Sequence, residues 1–186
     1  MRGQTPEGYN ITYDAGMARK AFIEAHALKE FGGKVFWIDA DVVTFKDVPE
    51  GFLRECLPDD KFCCHLGRDW LYTESGFIGF NANHKIATAF METYLAIFER
   101  GVFLTLPRWH DCQAFDAVRK AAQHDAAAKD AFVNLAEDVE YGEMHPFVKT
   151  APGRYMDHLK GPRKKHGHSE EHPAKWWVPG SEKLDA

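Results

Sequence analysis

A short apolar run near the start of the chain restricts the fold more than any other feature. Residues 35–38 read Val-Phe-Trp-Ile, which is β-branched and aromatic and too short for a helix, so it predicts a strand buried on both faces of a parallel or mixed sheet. Over residues 14–31, apolar positions recur every three to four residues and Gly32-Gly33 follows, which predicts a helix. A helix followed by a buried strand is typical of the α/β class, so we expect a mixed sheet flanked by helices.

Later segments extend this pattern. The sequence predicts further strands over 62–66 and 76–81, and helices over 48–56, 83–100 and 111–124, with an alanine-rich helical stretch to residue 136. After residue 141 the periodicity gives way to Pro, Gly and His. We therefore expect one domain over residues 1–165 and a polar tail over 166–186, which is either loose or docked through Trp176 and Trp177.

The composition is that of one globular domain, because 186 residues with 45% apolar and 27% charged side chains can form a sizeable core. The formal net charge of −5 provides no positive field for a polyanion, so nucleic acid is not expected as a partner. No apolar run approaches the roughly 18 residues of a membrane span. We therefore expect no transmembrane segment.

The four cysteines indicate a reducing compartment. Cys56, Cys63, Cys64 and Cys112 show neither the paired C-x-x-C spacing of a zinc site nor the density of a disulfide scaffold. Reduced thiols in a cytoplasmic protein are the expectation.

Two carboxylates follow the apolar run directly. Asp39-Ala40-Asp41 stands at the carboxyl end of the predicted strand, which is where ligands bind in α/β sheets. Two hard oxygen ligands close together suit Mg²⁺ or Mn²⁺, and substrate phosphates and water usually complete the coordination of these ions. The triplet therefore predicts a metal site, although two acids in a solvated loop would give the same pattern.

A second segment combines a histidine, a glycine and a lysine at offsets of three residues. In His158-x-x-Gly161-x-x-Lys164, imidazole favours Mn²⁺ over Mg²⁺, glycine permits close backbone approach, and lysine can contact a phosphate. Alone, this segment is also typical of a basic surface loop. With Asp39 and Asp41 it completes a three-ligand site, near the positive charge of four basic residues, Lys160, Arg163, Lys164 and Lys165.

The ordered pair of motifs resembles the signatures of glycosyltransferase family 8, a group that includes glycogenin and bacterial galactosyltransferases. The resemblance implies a GT-A, Rossmann-like fold and transfer of a sugar from a nucleotide diphosphate, usually UDP, to a hydroxyl on a glycan, protein or small molecule. It also implies retention of anomeric configuration, Mn²⁺ on Asp39, Asp41 and His158, and the donor diphosphate on Gly161 and Lys164.

Three further segments carry the resemblance between about Met17 and Lys164. Arg19 or Lys20 stands near the position of a basic residue that contacts the donor. Glu74-Ser75-Gly76 resembles the family's N-x-G turn, where the donor sugar is held, with glutamate in place of asparagine. Asp111 matches the D-Q-D segment beside the anomeric carbon and can equally cap a helix. The resemblance assigns Asp111 and Glu74 to sugar positioning and Ser75 and Gly76 to donor contacts.

The chain departs from the family at its start. Only about 34 residues precede the predicted metal strand, whereas the family begins with one or two βα units that cradle the nucleotide base. We therefore expect an N-terminally truncated form that lacks much of the base pocket: a fragment, a chain that borrows this surface from a partner, or a relic.

Two other functions stay open. A degenerate, non-catalytic or partner-dependent transferase would keep the same motifs without turnover. A phosphohydrolase of the haloacid dehalogenase type also places D-x-D after an apolar strand, with Asp39 as nucleophile and Asp41 as acid and base.

Overall fold

A computed structural model describes residues 11–140, 145–161 and 163–169, apart from the side chains of 11–15 and 166. Helices and strands alternate over much of this range, with three short 3₁₀ turns at Val102–Thr105, Pro146–Lys149 and Pro152–Arg154. The helices are α1 (Ile11–Phe31), α2 (Phe52–Cys56), α3 (Ala87–Glu99), α4 (Asp111–Gln123) and α5 (Arg163–His166). The strands are β1 (Lys34–Ile38), β2 (Val42–Thr44), β3 (Cys63–Arg68), β4 (Leu71–Asn81), β5 (Phe132–Asn134) and β6 (Met156–His158).

Among the described residues, the main sheet has four strands in the order β1-β4-β3-β5. β4 runs antiparallel to both β1 and β3, whereas β3 and β5 are parallel. A second, two-stranded sheet pairs β2 with β6 in antiparallel register. The predicted mixed α/β sheet flanked by helices is confirmed.

β1 lies where the sequence predicts it, but it is less buried than predicted. Within the described ranges it pairs only with β4, so it lies at one edge of the sheet. Its residues are half-buried, and Ile38 is 41% exposed. The prediction of burial on both faces is wrong, because an apolar run does not reveal how many neighbours a strand has.

The core lies on both faces of the central strands. Side chains of β4 alternate between the faces, so Phe80 packs towards α3 and α4 while Phe77 packs towards α2 and the turn Pro146–Lys149. On the first face, the ring of Phe90 lies 4.9 Å from that of Phe62 and 6.0 Å from that of Phe115. Full burial of one such ring contributes about 1.5–3 kcal/mol. β4 is thus a central strand against which neighbouring segments pack on both faces.

Tertiary pairing corrects the prediction for the alanine-rich stretch. α4 ends at Gln123, and the predicted helical continuation to residue 136 is wrong. Turns follow, and Phe132–Asn134 forms β5, paired with β3 from Cys63 to His65. Helix propensity is a weak preference that strand pairing and partial burial of Phe132 against the core override.

Other boundaries differ more modestly. The helix predicted over 48–56 occupies only Phe52–Cys56, since Pro49 and Gly51 lie in the turn that precedes it. β4 begins at Leu71, five residues before the predicted start of 76, and α3 begins at Ala87 rather than 83. The longer β4 matters for function because it places Glu74, Ser75 and Gly76 inside a strand.

All four cysteines are unpaired and buried. Burial raises the pKa of the Cys56 and Cys112 thiols to about 12. The expectation of reduced thiols agrees with this arrangement. Among the described helices, none is both long and apolar enough to cross a membrane. Trp176 and Trp177, on which the expected docking of the tail depends, lie outside the described residues.

Candidate metal centre

The two sequence motifs meet where the two sheets join. Asp39 and Asp41 follow the end of β1, and the amide of Val42 donates to the carbonyl of Asp39 at 3.0 Å, which turns the chain into β2. β2 then pairs with β6 so that Val42 lies opposite His158. This register brings the histidine to the acidic turn across 117 residues of sequence.

The three predicted ligands form one cluster. Nε2 of His158 lies 2.9 Å from Oδ1 of Asp41 and 3.6 Å from Oδ2 of Asp39. One ligand atom from each of the three residues lies within 4.8 Å of the other two. The His158 side chain is 0% exposed, whereas those of Asp39 and Asp41 are 25% and 30% exposed. Two carboxylates and one imidazole with access from one side fit a divalent ion such as Mn²⁺.

A lysine forms an ion pair with each of the two carboxylates. Nζ of Lys164 lies 3.1 Å from Oδ2 of Asp41, and Nζ of Lys20 lies 3.3 Å from Oδ1 of Asp39. Partial burial would raise the pKa of Asp41, but the hydrogen bond from Lys164 and the neighbouring His158 hold it below its ordinary value. Asp41 is therefore held in its anionic form, which can bind a cation.

The predicted donor-contacting glycine forms a turn. Gly161 has a φ of +55°, in the left-handed region that favours glycine, and its carbonyl accepts from the amide of Lys164 at 3.3 Å. This turn leads from β6 into α5 and carries the lysine back over Asp41. The glycine and lysine of the second motif thus act together to place one cation.

Lys20 is the centre of a buried polar group beneath the candidate metal ligands. Its Nζ lies 3.3 Å from Oδ2 of Asp111 and also donates to the carbonyl of Ser75. Burial alone would lower the pKa of Lys20, but the surrounding carboxylates, chiefly Asp111, raise it above its ordinary value. Of the two basic residues expected near the donor, Lys20 is buried in the pocket floor and Arg19 is exposed at its rim.

Glu24 is a member of this group that sequence reasoning missed. It follows Lys20 by one helical turn on the inward face of α1 and is 2% exposed. Neither carboxylate oxygen has a hydrogen-bond partner within the described part of the chain. Burial raises its pKa to about 8, so it is largely protonated at neutral pH. The sequence contains a signal for it, an acidic residue four positions after a basic one on the apolar face of a predicted helix.

Glu74, Ser75 and Gly76 lie in β4 and tie the site together. Oε1 of Glu74 accepts from Nζ of Lys160 at 2.6 Å and from the amide of Gly76 at 3.1 Å. The carbonyl of Gly76 accepts from the amide of Asp39 at 3.1 Å. Burial would raise the pKa of Glu74, but the neighbouring His158 and the hydrogen bond from Lys160 hold it well below its ordinary range. Glu74 is therefore a buried, ionised carboxylate.

A cavity of about 620 Å³ opens above these groups. Most of the residues that the sequence singled out line it, whereas Gly76 and His158 lie behind its wall. Those that line it are Arg19, Lys20, Asp39, Asp41, Glu74, Ser75, Asp111, Gly161 and Lys164. The structure thus brings most of the residues predicted to contact metal, donor or sugar to one pocket.

Aromatic side chains in the same wall were not predicted. The indole N–H of Trp37 donates to Oδ1 of Asp39, and Nζ of Lys20 lies 5.0 Å from the centroid of its ring. Tyr72 packs edge-on against His110 at 6.0 Å. Trp37 could have been identified, because alternate residues of a strand share a face and Asp39 follows it by two.

A buried cluster supports the second motif from below. Asp157, next to His158 in β6, accepts hydrogen bonds at 2.6 Å from both the amide and the hydroxyl of Ser169. His145 lies 3.7 Å away from the same carboxylate. Burial opposes ionisation, but His145 and Ser169 lower the pKa of Asp157 to about 2. This cluster fastens the segment after α5 to β6 and so restricts the position of Lys164.

No protein-family model matches the chain, and no curated protein matches it. Among solved structures, it is similar to the crystal structure of a glycosyltransferase involved in the glycosylation of the major capsid of PBCV-1. The identity is 12%, the TM-score is 0.49, and the match covers 82% of this chain and 75% of that chain.

Proposed function

We propose that the protein is a metal-dependent glycosyltransferase that moves a sugar from a nucleotide-diphosphate donor, a UDP-sugar, to a hydroxyl acceptor with retention of configuration. One observation carries the proposal: Asp39-x-Asp41 and His158-x-x-Gly161-x-x-Lys164 converge on one cluster beside a cavity large enough for a ligand. Either motif alone has an ordinary structural explanation. Their meeting in space is what a shared site for a cation and a diphosphate requires.

Asp39, Asp41 and His158 would hold the ion, with Mn²⁺ favoured by the imidazole and Mg²⁺ as the substitute. When bound, the ion supplies Lewis-acid stabilisation of charge on the departing diphosphate, which is worth several kcal/mol in such reactions. The Lys164 side chain is 58% exposed, and its Nζ lies 3.1 Å from Oδ2 of Asp41, within reach of anionic oxygens that a ligand would bring to the same cluster. This lysine adds a second positive charge against the leaving group.

Asp111 is the carboxylate we assign to the donor sugar. It is the first residue of α4, 3% exposed, and lines the pocket with Oδ2 held 3.3 Å from Lys20. A carboxylate fixed in this way can accept hydrogen bonds from sugar hydroxyls without moving. Ser75 and Arg19 complete the polar lining on that side of the cavity.

The decisive test is calorimetric titration of UDP and GDP into the purified chain, with Mn²⁺ and again with EDTA. We expect Mn²⁺-dependent binding of UDP to the wild type. Asp41→Asn should abolish this binding, because the substitution removes the negative charge of one of the three ligands. Asp47→Asn is the matched control, since Asp47 is an exposed aspartate in the turn after β2.

Several outcomes would contradict the proposal. Binding that survives EDTA, or that is unchanged in Asp41→Asn, removes the metal from the mechanism. Phosphate release from simple phosphoesters, with no UDP binding, would favour a phosphohydrolase. Mn²⁺-dependent UDP binding without hydrolysis of any UDP-sugar would favour a non-catalytic relative.

A further inference from the structure

The chain contains a carboxylate that contacts the back of the expected metal ligand His158. We propose that Glu74 is a positioning residue, which holds the Nδ1 side of His158 so that Nε2 faces Asp39 and Asp41. This inference rests on the metal site of the proposed function. It gives Glu74 a role different from the sugar contact that the sequence suggested.

The imidazole ring lies between two sets of carboxylates. Nδ1 of His158 is 3.4 Å from Oε1 of Glu74, while Nε2 is 2.9 Å from Oδ1 of Asp41 on the opposite side. Nε2 lies within hydrogen-bond distance of Asp41, whereas an ion bound to Nε2 would require the ring proton on Nδ1, where the carboxylate of Glu74 faces it. The lone pair is then on Nε2, where a metal would bind.

The strand geometry places Glu74 there. Glu74 and Gly76 are two residues apart in β4, so they share a face, and that face meets His158. A Cβ on Gly76 would overlap Nδ1 and Cε1 of the ring, so only glycine allows the imidazole to approach the strand. Glu74 thus lies beside the ring, and Gly76 leaves the space that the ring occupies.

Glu74 is itself held in place. Its side chain is 5% exposed, Nζ of Lys160 donates to Oε1 at 2.6 Å, and the amide of Gly76 donates to the same oxygen at 3.1 Å. The ring of Phe147 packs edge-on against His158 at 5.6 Å and closes another side. The ring therefore has few orientations available, and Nε2 points to the two aspartates in the observed one.

This arrangement matches a general feature of metal centres. A ligating histidine usually donates its other ring N–H to a carboxylate or carbonyl, and loss of that partner typically weakens metal binding 10- to 100-fold. The affinity of His158 for an ion should therefore depend on Glu74, although Glu74 is not a member of the three-ligand cluster.

The test compares Glu74→Gln with Asp116→Asn in Mn²⁺ titrations followed by electron paramagnetic resonance. Asp116 is a matched control, because it is 6% exposed and bonded to Thr73 at 2.7 and 2.8 Å but does not touch the cluster. We expect Glu74→Gln to weaken Mn²⁺ binding about 10- to 100-fold. Asp116→Asn should lower thermal stability and leave the Mn²⁺ affinity within about twofold of the wild type.

A second measurement uses Mg²⁺, which is diamagnetic, in place of Mn²⁺. Nitrogen-15 spectra of the histidine ring, assigned with His158→Asn, should show a proton on Nδ1 of His158 in the Mg²⁺-bound wild type. An Nδ1 without a proton overturns the proposal, whether or not Glu74→Gln folds. Unchanged Mn²⁺ affinity in folded Glu74→Gln overturns it as well.

The two readouts separate this inference from the proposed function. If the wild type binds neither Mn²⁺ nor Mg²⁺, the metal-dependent function fails, and the positioning role, which depends on a bound ion, fails with it. If Mn²⁺ binds and Glu74→Gln behaves as the wild type in both measurements, the function stands and the positioning role fails.

Discussion

Replacing Gly76 with alanine tests the packing of the site by adding a single methyl group. That methyl would lie less than 3.0 Å from Nδ1 and Cε1 of His158, closer than a Cβ normally comes to any atom, and 3.2 Å from Oε1 of Glu74. The imidazole is fully buried and held by its neighbours, so it cannot swing into solvent. Because the φ of Gly76 is not positive, the effect is one of space and not of backbone strain.

The expected size follows from overpacking of a well-filled interior. An extra methyl group that forces side chains and backbone to shift costs about 1–3 kcal/mol. For a chain of this length, each kcal/mol lowers Tm by about 2–4 °C, so Gly76→Ala should lower it by about 2–12 °C. The ring must also move, so Mn²⁺ affinity should fall with stability.

Urea unfolding and Mn²⁺ titration of the same preparations measure both effects. Gly51→Ala is the control, because Gly51 has an ordinary φ of −77° and no atom within 4 Å of an added Cβ. That variant should match the wild type in Mn²⁺ affinity and lie within about 1 kcal/mol of it in stability. The reasoning is refuted if Gly76→Ala is as stable as Gly51→Ala and binds Mn²⁺ equally well.

Two further predictions concern the charged groups of the pocket. Lys164→Ala should weaken Mn²⁺-dependent UDP binding by about 1–3 kcal/mol and leave binding of a free sugar unchanged, because it removes a charge-assisted contact to the diphosphate; Lys165→Ala, at the exposed neighbouring position, should leave both unchanged in the same calorimetric assay. Glu24 has a folded-state pKa of about 8 against an ordinary value of 4.5, so the folded state retains a proton that the unfolded state loses between those values, and stability should fall as pH rises by up to about 1.4 kcal/mol per unit. In urea unfolding, Glu24→Gln should remove this pH dependence, and its free energy of unfolding should rise relative to that of the wild type from pH 5 to pH 8. Parallel pH profiles of the two proteins would exclude a buried, protonated Glu24.

The sequence predicted those helices and strands whose conformation is favoured by the residue pattern within the segment itself. α1 and β1 were found because a helical period and an apolar run are both legible within a short window. β5 was missed because its conformation depends on pairing with β3, about 70 residues earlier in the chain, and not on Phe132, Val133 and Asn134 themselves. The position of β1 at the edge of the sheet was also missed, because it too depends on pairing between distant segments.

The three residues of the cluster were predictable from their types, whereas the contacts that support them were not. Asp39, Asp41 and His158 are recognisable in a linear sequence as candidate ligands. Nothing linear indicates that Glu74 faces the back of His158, since that contact depends on the register of β4 and the turn between β1 and β2. Residues that act through another side chain are found by geometry, because their types are compatible with many roles.

The pairing of β2 with β6 has a thermodynamic consequence. Asp41 and His158 are 117 positions apart, so any ion held by both is bound only while the intervening chain is folded. Such an ion stabilises the folded state by RT ln(1 + [L]/Kd), about 2.7 kcal/mol at 100 times Kd. Occupancy of the cluster is thus linked to global unfolding, and a rise in thermal midpoint with added Mn²⁺ would report ligation even without a substrate.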